Sequence, residues 1–203
     1  MMQERSIAIR QVLVIVLLLN IFVAAIKGIL GYATNVISLI ADSFHSVIDS
    51  ASNIIGLVGI TIASRPIDET HPYGHEKFES LASLFIGVFI FLTVIEILST
   101  VISRIFNPVI PQVDVITIIF VLLTMCVNIF VTKYERKMGE RLKSDILIAD
   151  AAHTFSDLFA TSIVLINLIL VAFGLYFLDS IIAIIICAFI VNVGVKVIKE
   201  NAF

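Results

Sequence analysis

Charge is scarce in this chain. Of its 203 residues 14% are Asp, Glu, Lys or Arg, against about 25% in an ordinary soluble domain. Tryptophan is missing altogether. Cysteine occurs twice, as Cys126 and Cys187, each inside an apolar run. That excludes a disulfide framework and argues against a zinc site built on thiolates. There is no basic excess either: the net charge is −3, so nothing electrostatic favours nucleic acid as a partner. The nucleotide-binding pattern G-x-x-x-x-G-K-[ST] is absent, and so is the metalloprotease pattern H-E-x-x-H. The chain is not expected to be an enzyme. What is abundant is apolar side chain, at 60% of residues and a mean hydropathy of +1.11. So little polar surface could not clothe a water-soluble core, and such a composition does not stay disordered. The chain reads as a membrane protein.

A spanning helix needs about 20 mostly apolar residues. Six runs qualify, at 11–33, 36–62, 79–103, 113–132, 145–173 and 178–197. They predict an all-α bundle of six transmembrane helices with no soluble domain between them. The first run is too long for a signal-peptide core and is expected to be retained. Lys and Arg set the orientation. Alternate connections place Arg5, Arg10, Arg65, Lys77, Lys133, Arg136, Lys137, Arg141, Lys143, Lys196 and Lys199 on one side and Arg104 alone on the other. Both termini are therefore expected in the cytoplasm, and the protein in a prokaryotic cell membrane. The run Lys133–Lys143 is expected to be a solvated hairpin, with contact to anionic lipid as the lesser reading.

Ionisable groups are costly inside a bilayer, and here they recur in a pattern. The second run carries Ile40-Ala41-Asp42-x-x-His45-x-x-x-Asp49. The fifth carries Ile148-Ala149-Asp150-x-x-His153-x-x-x-Asp157, 108 residues later. Residues four apart share a helix face. Two facing helices could thus offer His45, Asp49, His153 and Asp157 as a tetrahedral N2O2 set of the kind zinc takes. Two carboxylates would also balance a divalent charge. The competing reading, polar groups that merely hydrogen-bond helices together, does not explain why the whole pattern occurs twice. Asp42 and Asp150 keep three readings open: they orient the adjacent histidines, lie near the extracytoplasmic mouth, or line a water-filled route.

A second cluster, Asp68-x-x-His71-x-x-x-His75, lies between the second and third runs, where Pro72 and Gly74 disfavour a helix. It could hold an exchangeable metal or be an ordinary solvated loop. All four histidines of the chain fall in these two clusters. Lys27 is expected to pair with Glu96 or to snorkel. Asn20, Asn53, Asn128, Asn167 and Asn192 are expected to bond helix to helix.

These motifs resemble the cation diffusion facilitators, six-span exporters of zinc and related metals. The resemblance covers the whole chain and includes the stretch His71-Pro-Tyr-Gly-His75-Glu-Lys77-Phe-Glu79. It implies that His45, Asp49, His153 and Asp157 form the transport site and that Asp68, His71 and His75 form a peripheral loop site. It further implies a homodimer that moves Zn2+ out of the cytoplasm as H+ enters. In this family, His at the position of His45 goes with zinc, whereas Asp goes with broader zinc and cadmium use. All-Asp or Asn-containing sites go with manganese or iron. Family members usually continue into a cytoplasmic α/β domain. This chain ends at Lys199-Glu-Asn-Ala-Phe203, where that domain would begin, and truncation is the favoured reading. A metal-gated channel or a membrane-bound metal sensor is the alternative function.

Overall fold

A computed structural model of the chain describes residues 2–63, 77–107 and 109–202. All of its described regular structure is helical. Six helices run α1 Met2–Thr34, α2 Ile37–Ala63, α3 Lys77–Phe106, α4 Val115–Leu142, α5 Asp145–Ala172 and α6 Phe177–Ala202. Each of the six expected runs lies mainly within one helix, but α1, α3, α4 and α6 are longer than hydropathy alone predicted, α1 and α4 most of all. α1 begins at Met2 rather than near residue 11, and α4 continues through the charged stretch to Leu142. The expectation of a solvated Lys133–Lys143 hairpin is corrected accordingly. This segment is a helical extension with one wet face, where Lys133, Arg136 and Lys137 are exposed, and one dry face, where Glu135 and Gly139 are buried.

Helix α1 packs along α2 and α4 along α5. α1 also packs on α4 and α2 on α5, while α3 and α6 form a pair that leans on α2. The bundle is apolar outside and holds polar and charged groups within an apolar core. Leu18, Phe22, Ile29, Phe91, Phe130 and Phe159 are exposed, while Lys27, Asp42, His45, Asp49, Glu135 and Thr161 are buried. Exposed apolar surface on this scale has no stable place in water. In lipid it is the solvated face, and the helices satisfy their own backbone. Among the described residues, Ile7–Thr34, Val115–Leu142 and Asp150–Ala172 are each long and apolar enough to cross a bilayer.

The two tight helical hairpins are built alike. At the end of α1, Asn35 adopts φ 57°, its N–H meets the carbonyl of Tyr32 and the N–H of Val36 donates to Gly31 at 3.1 Å. At the end of α4, Lys143 adopts φ 49°, its N–H meets the carbonyl of Glu140 and the N–H of Ser144 donates to Gly139 at 2.9 Å. Both are left-handed helix stops with the paired backbone bonds of a Schellman turn. The glycines let the next helix close in. A Cβ on Gly31 would stand 2.8 Å from the backbone nitrogen of Ile40, and one on Gly139 2.8 Å from Cγ1 of Ile148. Gly31 and Gly139, Asn35 and Lys143, and Ile40 and Ile148 are each 108 residues apart, the interval of the histidine motifs. The repeat is therefore a whole hairpin, α1–α2 and α4–α5.

The two copies run in opposite directions. Near the α1–α2 turn, Gln112, just before α4, donates its N–H to the carbonyl of Thr34 at 2.8 Å. Arg104 from the end of α3 hydrogen-bonds the carbonyl of Asn35. Asp179 at the start of α6 accepts the N–H groups of Ile37 and Ser38 at 2.8 and 3.0 Å. Asp179 thus caps α2 from another helix, where the free N–H groups of a helix start favour a carboxylate. It also binds Arg104 at 3.2 Å and Asn167 at 2.9 Å. The start of α2, and so the height of His45 two turns below it, is fixed from α3, α5 and α6. At the start of α4, Asp114 accepts from the Thr117 hydroxyl and, at 2.8 Å, from its N–H. These bonds hold its carboxyl below the usual carboxylate range.

Candidate metal centre

His45 and Asp49 sit one turn apart on the inner face of α2, both nearly fully buried. Asp157 reaches them from α5. Ligand atoms of His45, Asp49 and Asp157 all lie within 4.8 Å of one another. His45 Nδ1 is 3.6 Å from Asp49 Oδ2, and His45 Nε2 is 3.7 Å from Asp157 Oδ1. His153 joins through Asp49, with its Nε2 3.2 Å from Asp49 Oδ1, and is the most exposed of the four. The donor set is free to bind. His45 Nδ1 and both oxygens of Asp49 are buried and, apart from the ion pairs among the cluster's own members, have no hydrogen-bond partner. Buried polar atoms rarely stay unpaired, and a cation among two carboxylates and two imidazoles would satisfy them all. A small cavity adjoins the cluster, lined by Asn20, Ser46, Asp49, Asn128, Thr154 and Asp157. Asn20 and Asn128 are again 108 residues apart. Expected only to tie helices together, they border the centre.

Asp42 does not turn His45. Its carboxylate takes Lys27 Nζ at 2.8 Å, with both side chains 1% exposed. Lys27 donates further to Thr161 at 2.8 Å and Ser46 at 3.3 Å. The expected pairing of Lys27 with Glu96 is corrected, as is snorkelling: Lys27 is buried, and Glu96 lies on an exposed face of α3. Asp150 lies one turn before His153, against the carboxyl of Glu135 from α4. Asn167 does bond across helices, to Ser38 at 2.8 Å and to Asp179. Asn192 is exposed. Asp68, His71 and His75 lie outside the described residues. Cys126 and Cys187 are free.

A lipid-clad helical bundle with a buried, unsatisfied set of nitrogen and oxygen ligands defines an integral membrane protein equipped to handle cations. Comparison with known proteins agrees. The family described as the cation efflux transmembrane domain matches residues 13–203, and the chain belongs to that family. It is 41% identical over 182 residues to an uncharacterized transporter of Methanocaldococcus jannaschii, covering 90% of this chain and 64% of that protein. It is 28% identical over 179 residues to the manganese efflux system protein MneS of Bacillus subtilis, covering 88% of this chain and 62% of that protein. A probable zinc transporter, cis4 of Schizosaccharomyces pombe, is 33% identical over 97 residues, 48% of this chain and 13% of that one. The chain thus spans less than two thirds of the length of each of these relatives.

Proposed function

We propose that this chain carries divalent metal cations, zinc foremost, out of the cytoplasm in exchange for protons. One observation carries the reading: the ligand atoms of His45, Asp49 and Asp157 converge within 4.8 Å inside an apolar bundle, and His153 stands at their edge. Two imidazoles in the set favour a borderline ion such as zinc, because an all-oxygen set would suit manganese better. Relatives named for manganese efflux keep manganese as the second reading. Proton exchange follows from ligand chemistry. A metal binds neutral imidazole and ionised carboxylate, so loading releases protons and acid expels the ion. The set as a whole, two imidazoles and two carboxylates, would carry the exchanged protons. Asp68, His71 and His75 are proposed as a peripheral site, and the homodimer rests on the family resemblance alone.

The test is flux into proteoliposomes with and without a pH gradient, measured for Zn2+ and Mn2+. Zinc uptake should require proton counter-flow, and Asp157→Ala should abolish it. Zinc affinity should fall as pH drops from about 7.5 to 5.5, the window around free imidazole. Flux indifferent to protons would leave a metal-gated channel, and manganese carried in preference to zinc would reverse the choice of ion.

A further inference from the structure

The two inverted hairpins place a carboxylate on either side of the centre, and the structure treats the two differently. Asp42 lies one turn from His45 toward the Asn35 end, and Asp150 one turn from His153 toward the Lys143 end. The residue facing Asp42 from α1 is Lys27. The residue facing Asp150 from α4, 108 positions later, is Glu135. One flank therefore carries its own cation, bound at 2.8 Å. The other flank has two carboxyls and, among the described residues, no Lys or Arg on them; the basic side chain beside them is His153 of the central site. Glu135 is fully buried, and apart from each other's carboxyl neither its Oε1 nor the buried Asp150 Oδ2 has a hydrogen-bond partner. The second oxygen of Glu135 accepts from Thr154 at 3.1 Å. Thr154 also lines the cavity beside Asp49 and Asp157, so this pair borders the central site.

We propose that Glu135 and Asp150 form a second divalent-cation site, a staging point at the Lys143 end of the bundle, where a mobile ion takes the place that the Lys27 ammonium fills at the other end. Two carboxylates with water completing the shell are ligands for a hard ion. The site concentrates cations beside the centre and leaves the Asn35 flank, already neutralised by Lys27, unable to hold one. The proposal rests on the transport reading for its direction alone; the binding itself does not depend on it.

The test counts Mn2+ bound to the purified full chain in nanodiscs, by electron paramagnetic resonance. The other metal positions are removed first with Asp49→Asn, Asp157→Asn, His71→Ala and His75→Ala. This background protein should keep one Mn2+ per chain. Glu135→Gln and Asp150→Asn should each weaken it about tenfold or more, since affinity at oxygen sites follows ligand charge. Glu135→Lys provides the control for folding. Its ammonium should pair with Asp150 as Lys27 pairs with Asp42, so the protein should melt at or above the background temperature and bind no Mn2+. A background protein that binds no Mn2+, or a Glu135→Lys protein that still binds it or melts well below the background, would overturn the proposal. Silence of Asp157→Ala in flux would instead count against the central site and leave this count untouched.

Discussion

Single residues in this bundle are judged by what a low-dielectric interior does to charge. Lys27 and Asp42 are fully buried and 2.8 Å apart. Removing one partner of such a pair strands the other as an uncompensated charge, which costs about 3–5 kcal/mol. Lys27→Met should therefore lower the melting temperature of the detergent-purified protein sharply, and Lys27→Met combined with Asp42→Asn should recover most of the loss. A single variant as stable as the parent would show that the pair is not what holds α1 against α2. From sequence alone Lys27 has two expected fates, pairing with Glu96 or snorkelling. Helical periodicity reports which face of one helix is apolar, but it says nothing about which residue of another helix that face will meet. The motif residues were legible because the D-x-x-H-x-x-x-D spacing is internal to one helix and occurs twice. Glu135 was not, because Lys133, Arg136 and Lys137 around it read as a solvated charge run. Its signal was the stripe Asn128, Val131 and Glu135, which a continuous helix places on one buried face.

At the scale of the element, the hairpins are the units that set the site. Their closeness depends on Gly31 and Gly139, and the two are not equally tolerant. A methyl at Gly31 would meet the backbone nitrogen of Ile40 at 2.8 Å, which cannot retreat without parting α1 from α2. At Gly139 the nearest atom is the Cγ1 of Ile148 at 2.8 Å, a side-chain atom, with the backbone nitrogen at 3.1 Å. Overpacking against backbone costs about 1–3 kcal/mol. Gly31→Ala should therefore destabilise by that order and Gly139→Ala by less, read from thermal melts in one detergent. The reverse ranking would mean that the hairpins close through other contacts. The α1–α2 turn falls where the first apolar run ends. The equivalent turn after Leu142 was hidden inside the expected charged loop, since hydropathy registers the end of an apolar run and not the end of a helix.

For the whole molecule, the fold fixes which connections share an end. The α1–α2 turn, the α3–α4 connection and the α5–α6 turn come together through Thr34, Gln112, Asn35, Arg104 and Asp179. The α4–α5 turn lies at the opposite end. This segregation accounts for the lopsided distribution of Lys and Arg. The end that gathers three connections holds Arg104 alone, and that guanidinium is already engaged by Asp179. The rule counts Lys and Arg rather than net charge, so one Arg does little to hold that end in the cytoplasm, whereas Lys133, Arg136 and Lys137 at the other end are exposed and set the orientation. Inverted hairpins place the site they share near the bilayer midplane, so the two ends should face opposite compartments. In a variant with both native cysteines replaced by serine, a cysteine at Val109 should react with a membrane-impermeant maleimide added to intact cells. A cysteine at Lys137 should react only after the membrane is opened. The opposite labelling would turn the bundle over, and Glu135 and Asp150 would then face the exterior rather than the cytoplasm.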